Sequence, residues 1–153
     1  EIDMFIIPVG GGGMISGMSA AIKLARPSAT VIGVEPFGAD SMFRSFVAEE
    51  PVRLDKITTI ADSLASPMAM PYSFGVTHHY ADEIVRVEDD ELRQAMRTYQ
   101  NILKITAEPA CAASLAALTG PLKERATGRH VGIIACGSNI SMARYLNLLE
   151  QKQ

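Results

Sequence analysis

The chain has 153 residues, 48% hydrophobic and 20% charged, with a net charge of −3, a size and balance that suit one globular domain with a core of its own. Its Lys and Arg residues form no cluster or aromatic-interleaved stripe, which argues against a nucleic-acid partner, and no apolar run reaches membrane-spanning length. Cys111 and Cys136 form no CxxC pair and His78, His79 and His130 keep no zinc-ligand spacing, which argues against a disulfide or zinc scaffold and leaves a cytoplasmic location as the expectation.

Met4-Phe5-Ile6-Ile7-Pro8-Val9 is an apolar run that predicts a buried strand. It begins so close to Glu1 that a piece of a longer enzyme is expected. Four consecutive glycines follow, Gly10, Gly11, Gly12 and Gly13. A strand-to-helix junction that only has to turn needs one or two glycines, and each further one costs backbone entropy while burying no side chain. The surplus points to bare, convergent backbone N–H groups, which is what a phosphate ester binds. A nucleoside-triphosphate loop would continue with Lys and then Ser or Thr, whereas Met14-Ile15 follow here. Gly11, Gly13 and Ser16 match a dinucleotide fingerprint, with Glu35 where an acid would hold a ribose. A nicotinamide-dependent Rossmann domain is therefore open at this point.

Met14, Met18, Ala21, Ile22 and Ala25 recur at helical spacing up to Arg26-Pro27-Ser28. Thr30-Val31-Ile32-Gly33-Val34 then reads as a buried parallel strand, completing a βαβ unit. A short helix is expected over 41–48, loop over 51–69, and a helix over 70–80 that opens with Pro71 and carries His78-His79 near its end. Those histidines are expected at the surface rather than on a metal.

Glu83-Ile84-Val85-Arg86-Val87 is the next strand, and Glu88-Asp89-Asp90-Glu91 suits the start of a helix through its dipole. Leu92, Ala95, Met96, Tyr99, Ile102 and Leu103 extend an apolar helical face that Glu108-Pro109 is expected to break. Residues 110–118 are almost all Ala, Ser, Cys and Leu, a helix built to pack closely on a sheet. A turn of helix over 122–126, a buried strand over 130–135 and a last helix over 141–150 complete the pattern. The fold class is α/β, an open, mostly parallel sheet with helices on both faces. The glycine loop and the turn Cys136-Gly137-Ser138-Asn139 both follow strand carboxyl ends, where such sheets bind ligands.

Five ordered motifs give this pattern a likeness: Pro8-Val9-Gly10-Gly11-Gly12-Gly13-Met14, Gly33-Val34-Glu35-Pro36, Ala61-Asp62-Ser63, Glu108-Pro109-Ala110 and Cys136-Gly137-Ser138-Asn139-Ile140. Together they resemble the large domain of the fold-type II pyridoxal-phosphate enzymes, the group that holds serine/threonine dehydratases, serine racemase, threonine synthase and tryptophan synthase β. The dehydratase and racemase branch is the most similar. The resemblance implies a single domain over 1–153, the C-terminal part of the large cofactor domain, from a homodimeric parent. It implies that the backbone of Gly10, Gly11, Gly12, Gly13 and Met14 binds the phosphate of pyridoxal 5′-phosphate and that Cys136 meets the pyridine nitrogen, where the family usually has serine. A thiol or hydroxyl, unlike a carboxylate, does not hold the ring protonated, which favours β-elimination.

The resemblance also implies a divalent-cation site at Glu35 and the Ala39 carbonyl, but its third position, an acid in the family, is Ser41 here, with Asp40 one residue early. The lysine that attaches the cofactor lies in the family before the glycine loop, and none of Lys23, Lys56, Lys104, Lys123 or Lys152 has a matching context. The implied parent activity is a lyase acting on serine or threonine, releasing ammonia and a 2-oxo acid, while this chain alone is expected to be inactive. An amino acid racemase or threonine synthase of the same fold and a non-catalytic binding module are the alternatives.

Overall fold

Four strands, β1 (Met4–Pro8), β2 (Thr30–Pro36), β3 (Glu83–Val87) and β4 (Val131–Ile133), pair in the order β3-β2-β1-β4, every pair parallel. The structure, a computed structural model, describes residues 1–151, so Lys152 lies outside the described residues. Because successive side chains of a strand point to opposite faces, two cores form. On one face Ile7, Val9, Val31 and Ile84 meet Ile15 of α1 (Gly13–Ala25), Met42 of α2 (Ser41–Ala48) and Phe74 of α3 (Pro71–Tyr80). On the other, Met4, Ile6, Ile32, Val34 and Val87 meet α4 (Asp89–Thr98), α5 (Pro109–Thr119) and, after the short α6 (Lys123–Ala126), α7 (Met142–Glu150). The α/β class with helices on both faces is what the structure shows.

Small residues set how closely the layers approach. A Cβ on Gly33 would stand 2.5 Å from Ile84 Cδ1 and 2.7 Å from Ile15 Cδ1, so only glycine lets α1 settle on β2. The buried Ala112, Ala113, Ala116 and Ala117 do the same for α5, and Ser114 Oγ donates to the Ile6 carbonyl at 3.1 Å, satisfying its own hydroxyl in the core. The acid run starts α4 as expected: Glu88 and Glu91 form a reciprocal capping box, with the Glu88 N–H donating to Glu91 Oε2 at 2.7 Å. Such a cap contributes about 1 kcal/mol. His78 and His79 are exposed; His78 packs on the Phe46 and Phe74 rings, and His79 on Tyr80.

Two expectations are corrected. The helix of α4 does not run on to Glu108-Pro109: it passes into a π turn at Tyr99–Leu103 and stops at Lys104, whose φ of 59° is left-handed. The wider turn keeps Tyr99 buried but rotates Ile102 and Leu103 out, 70% and 57% exposed, so they do not continue the apolar face. The strand expected over 130–135 is shorter, three residues of β4, and only half-buried, because among the described residues β4 pairs with β1 alone and stands at the sheet edge.

Candidate functional site

The carboxyl ends of β1 and β4 open on the same edge of the sheet, and the two turns that follow them meet there. Gly12 is the N-cap of α1 with φ 90°, a left-handed conformation that glycine takes without strain. It is wedged in place: a Cβ would lie 2.6 Å from Met42 Cε and 2.9 Å from Ser73 Cβ. Gly10 backs onto the 60s loop, 3.1 Å from the Ser63 carbonyl by the same measure. Gly11, Gly13 and Met14, by contrast, are exposed, and nothing stands within 4 Å of where a Gly13 Cβ would be. The start of α1 thus has an open front and a packed back.

The electrostatics suit an anion. No acidic residue stands in the first turn of α1, and among the described residues no side chain accepts from the N–H groups of Gly13, Met14 or Ile15. Ser16 closes the turn by returning its N–H to the Gly12 carbonyl at 3.0 Å and its hydroxyl to the Gly13 carbonyl at 2.9 Å. A helix N-terminus with unsatisfied donors and a bare surface offers the chemistry an anion needs.

Cys136 stands across from it. Its thiol is exposed and lies 4.0 Å from the Met14 sulfur, so the residue after β4 and the end of the glycine loop are brought together. The turn that carries it is fastened to α5. The Glu108 N–H donates to the Gly137 carbonyl at 3.2 Å, and Gly137, at φ 109°, has no room for a Cβ, which would come within 2.5 Å of Glu108 Oε1. Ser63 Oγ donates to that same carboxylate oxygen at 3.1 Å. A cleft of about 240 Å³ opens beside these groups, lined by Ile60, Asp62, Ser63, Glu108, Asn139 and Arg144 among others. Arg144 forks onto Asp62 with contacts of 2.8 and 2.7 Å.

Glu108 and Ser63 entered the sequence reading only as parts of motifs. The signal for Glu108 was its place: it is the N-cap of α5 yet its side chain makes no cap bond, so the carboxylate is free to point into the site. Arg144 carried no signal, being one polar residue of an amphipathic helix. Of the described lysines, Lys23 pairs with Asp82, Lys104 donates to the Asn101 carbonyl, and neither they nor Lys56 nor Lys123 lines the cleft.

Glu35 is turned into the protein. Fully buried, it accepts from the N–H groups of Met42 at 3.0 Å and Phe43 at 2.8 Å, one on each oxygen, and so caps α2. Burial pushes its pKa up to about 8, against the pull of those two N–H groups. Ala39 is buried in the single turn Phe37–Ala39, and Asp40 is held by Arg44 at 2.7 Å and Arg86 at 3.0 Å. At the position where a cation is expected on Glu35 and Ala39, the carboxyl groups thus serve a helix end and two arginines. Among the described residues there is no group of three His, Cys, Asp or Glu side chains that could hold a metal.

Known proteins share this fold. The chain is 47% identical to phenylserine dehydratase of Ralstonia pickettii, over 96% of this chain and 46% of that protein. It is 35% identical to serine racemase of Arabidopsis thaliana, over 93% and 44%. The processed form of threonine deaminase isoform 2 from Solanum lycopersicum superposes with a TM-score of 0.93 at 29% identity, covering 97% of this chain and 44% of that one. Maize serine racemase superposes with a TM-score of 0.88 at 32% identity, over 96% and 46%. The chain spans about half the length of the relatives it matches. With residues 1–137 matched by the model of the family described as pyridoxal-phosphate dependent enzyme, and with the dinucleotide reading thereby set aside, the chain belongs to that family.

Proposed function

We propose that this chain is the C-terminal part of the large domain of a pyridoxal-phosphate-dependent lyase, one that removes the β-hydroxyl and the amino group from a small 3-hydroxy amino acid and leaves a 2-oxo acid and ammonia. The observation that carries the reading is the meeting of the two turns, with Cys136 Sγ 4.0 Å from Met14 Sδ at the edge where β1 and β4 end. The open front of Gly11 and Gly13 fits the cofactor phosphate, since a Cβ at 13 would project into empty space rather than protein. The N–H groups from Gly10 to Met14 would hold the phosphate, and the Cys136 thiol would face the pyridine nitrogen.

When bound, the cofactor supplies the electron sink that loosens the substrate's α-hydrogen. The chain's own part is to bind and orient. The α1 N-terminus fixes one end of the cofactor by dipole and hydrogen bonds. A thiol at 136 meets the other end without the fixed negative charge of a carboxylate. Glu108, tied to Ser63 and to the Gly137 turn, holds that thiol's position. The lysine that joins the cofactor and moves the α-proton would come from a portion of the parent outside this chain, so the 153 residues alone would bind without turning over. The same reading carries a homodimeric parent without a nucleic-acid partner, the latter supported by the net charge of −3 and the absence of a basic stripe.

Phenylserine dehydratase as a 47% identical relative favours a 3-hydroxy amino acid whose side chain is larger than that of serine. The test is 2-oxo acid and ammonia release by the full-length protein with pyridoxal phosphate, offered L-serine, L-threonine and L-threo-3-phenylserine. Formation of a 2-oxo acid from at least one is expected. Chiral chromatography that finds only inversion at the α-carbon would replace lyase by racemase, the reading that the Arabidopsis relative favours. No reaction with any of the three rejects the proposal.

A further inference from the structure

The turn after β2 is where the family resemblance implies a divalent cation, and the structure puts a different cation there. Glu35 and Arg86 are direct neighbours in the parallel register of β2 and β3. The Arg86 guanidinium lies 3.7 Å from the centroid of the Phe43 ring and 4.4 Å from that of Phe37, a flat cation between two aromatic faces. Its Nη1 donates to Asp40 Oδ2 at 3.0 Å, while Arg44 Nε takes Asp40 Oδ1 at 2.7 Å. Asp40 is 1% exposed, so its charge is answered inside the protein and not by solvent. The Ser41 hydroxyl, also buried, has no partner among the described residues; it stands where the acid completing a hard-cation oxygen set would be.

We propose that Arg86, stacked between Phe37 and Phe43 and paired with Asp40, is a built-in cation that does the work of the divalent ion at this turn, so that the protein neither needs nor retains a divalent metal there. Charge and geometry both favour this. A divalent ion needs several hard, charged oxygens, and here Glu35 is kept largely uncharged by burial while capping α2, and Asp40 pairs each of its oxygens with an arginine. The guanidinium is planar, permanently charged and suited to stacking, which a metal ion is not. The consequence reaches the glycine loop. Arg86 and Glu35 together fix the first turn of α2, and Met42 in that turn is the residue whose methyl packs directly behind Gly12. Arg86 is thus a positioning residue two contacts removed from the proposed phosphate cup, and the inference stands whether or not the catalytic reading does.

The test is thermal unfolding of the full-length protein, desalted after EDTA, with and without millimolar Mg²⁺ or Ca²⁺, alongside metal analysis of the untreated protein. The expected result is one midpoint in all conditions and far less than one divalent ion per chain. Arg86→Met should lower the midpoint by several degrees, and Arg86→Lys, which keeps charge but loses the flat stack, by less. Combining Arg86→Met with Ser41→Asp restores an acid at the empty position, and its midpoint should now rise with Mg²⁺ or Ca²⁺. A wild-type midpoint that rises with either ion or falls with EDTA overturns the proposal, as does a stoichiometric metal content. A well-folded double variant as indifferent to cations as the wild type overturns it too. Should the Met variants not fold, the wild-type arms and Arg86→Lys decide.

Discussion

Gly12→Ala and Gly13→Ala change neighbouring residues of one loop by the same methyl group, and the structure separates their effects. At Gly12 the backbone sits at φ 90°, which costs an L-residue about 1–2 kcal/mol. The new Cβ would also overlap Met42 Cε at 2.6 Å and Ser73 Cβ at 2.9 Å, and such overpacking costs about 1–3 kcal/mol. Stiffening of the unfolded chain returns about 0.4–1 kcal/mol, leaving a net loss of about 1–4.5 kcal/mol. At Gly13 no atom lies within 4 Å of the added Cβ, and alanine is the better helix former by up to about 1 kcal/mol. Stability should therefore hold or rise. That Cβ leans toward the helix N-terminus, into the space assigned to the phosphate, so cofactor affinity should fall at least about tenfold, the equivalent of 1.4 kcal/mol. Urea unfolding of the cofactor-free full-length protein reads the first effect, and a pyridoxal-phosphate titration followed by fluorescence reads the second. If Gly13→Ala binds cofactor as tightly as the wild type, the loop is only a turn and the phosphate assignment fails; a Gly12→Ala protein of unchanged stability refutes the wedge.

Alkylation at pH 8 should label the exposed Cys136 of the cofactor-free protein and spare Cys111, whose burial pushes its thiol from 9.0 up to about 11 and cuts its thiolate fraction about a hundredfold. Saturating pyridoxal phosphate should protect Cys136, and peptide mapping that shows no protection argues against its contact with the ring. The same raised pKa makes stability pH-dependent: a thiol that ionises less readily in the fold than in the open chain favours the fold fully below pH 9, and the advantage disappears as pH rises toward 11. Chemical unfolding should show a decline on the order of 2 kcal/mol over that window, and Cys111→Ala should flatten it; a decline unchanged in the variant assigns it to other groups. Gly137→Ala, forced to accept φ 109° and to displace the Glu108 carboxylate, should lose about 1–2 kcal/mol and speed Cys136 alkylation, since the turn loses its anchor. Alkylation at the wild-type rate would show that Glu108 does not position the thiol.

The parts of this fold that the sequence announced are those where local pattern and tertiary environment agree. The strand-helix-strand start, the Pro71 opening of α3 and the acid cap of α4 each follow from side chains within one element. What failed was decided between elements. Residues 130–135 are as apolar as a central strand, but β4 lies at the sheet edge with β1 on one side only, and apolarity does not report strand order. Ile102 and Leu103 keep the helical period in sequence, and one extra residue in a π turn is enough to swing them out. In the site, the glycine loop was legible because four side-chain-free residues have no cheaper explanation. Glu108, Ser63 and Arg144 were not, because each is a common polar residue whose meaning comes from long-range contact. The helix-capping role of Glu35 was hidden for a related reason: a lone acid at a strand end does not disclose that two backbone N–H groups of α2 bond to it.

The two halves of the proposed site are held with unequal firmness, and this orders how it would work. The glycine loop follows the central strand β1, bonded on both sides, and is braced from behind by Met42, Ser73 and the Ser63 carbonyl. Behind Met42 stand Glu35 and the Arg86 stack. The Cys136 turn follows a three-residue edge strand and depends on the Ile134 N–H to Ile6 carbonyl bond at 3.3 Å and on the Glu108 N–H to Gly137 bond at 3.2 Å. A preformed donor array pays little ordering entropy when a phosphate arrives, so in the proposed function affinity would reside at that end. The looser thiol end would then adjust to a ring already tethered, and contribute to the reactivity of the ring more than to its capture.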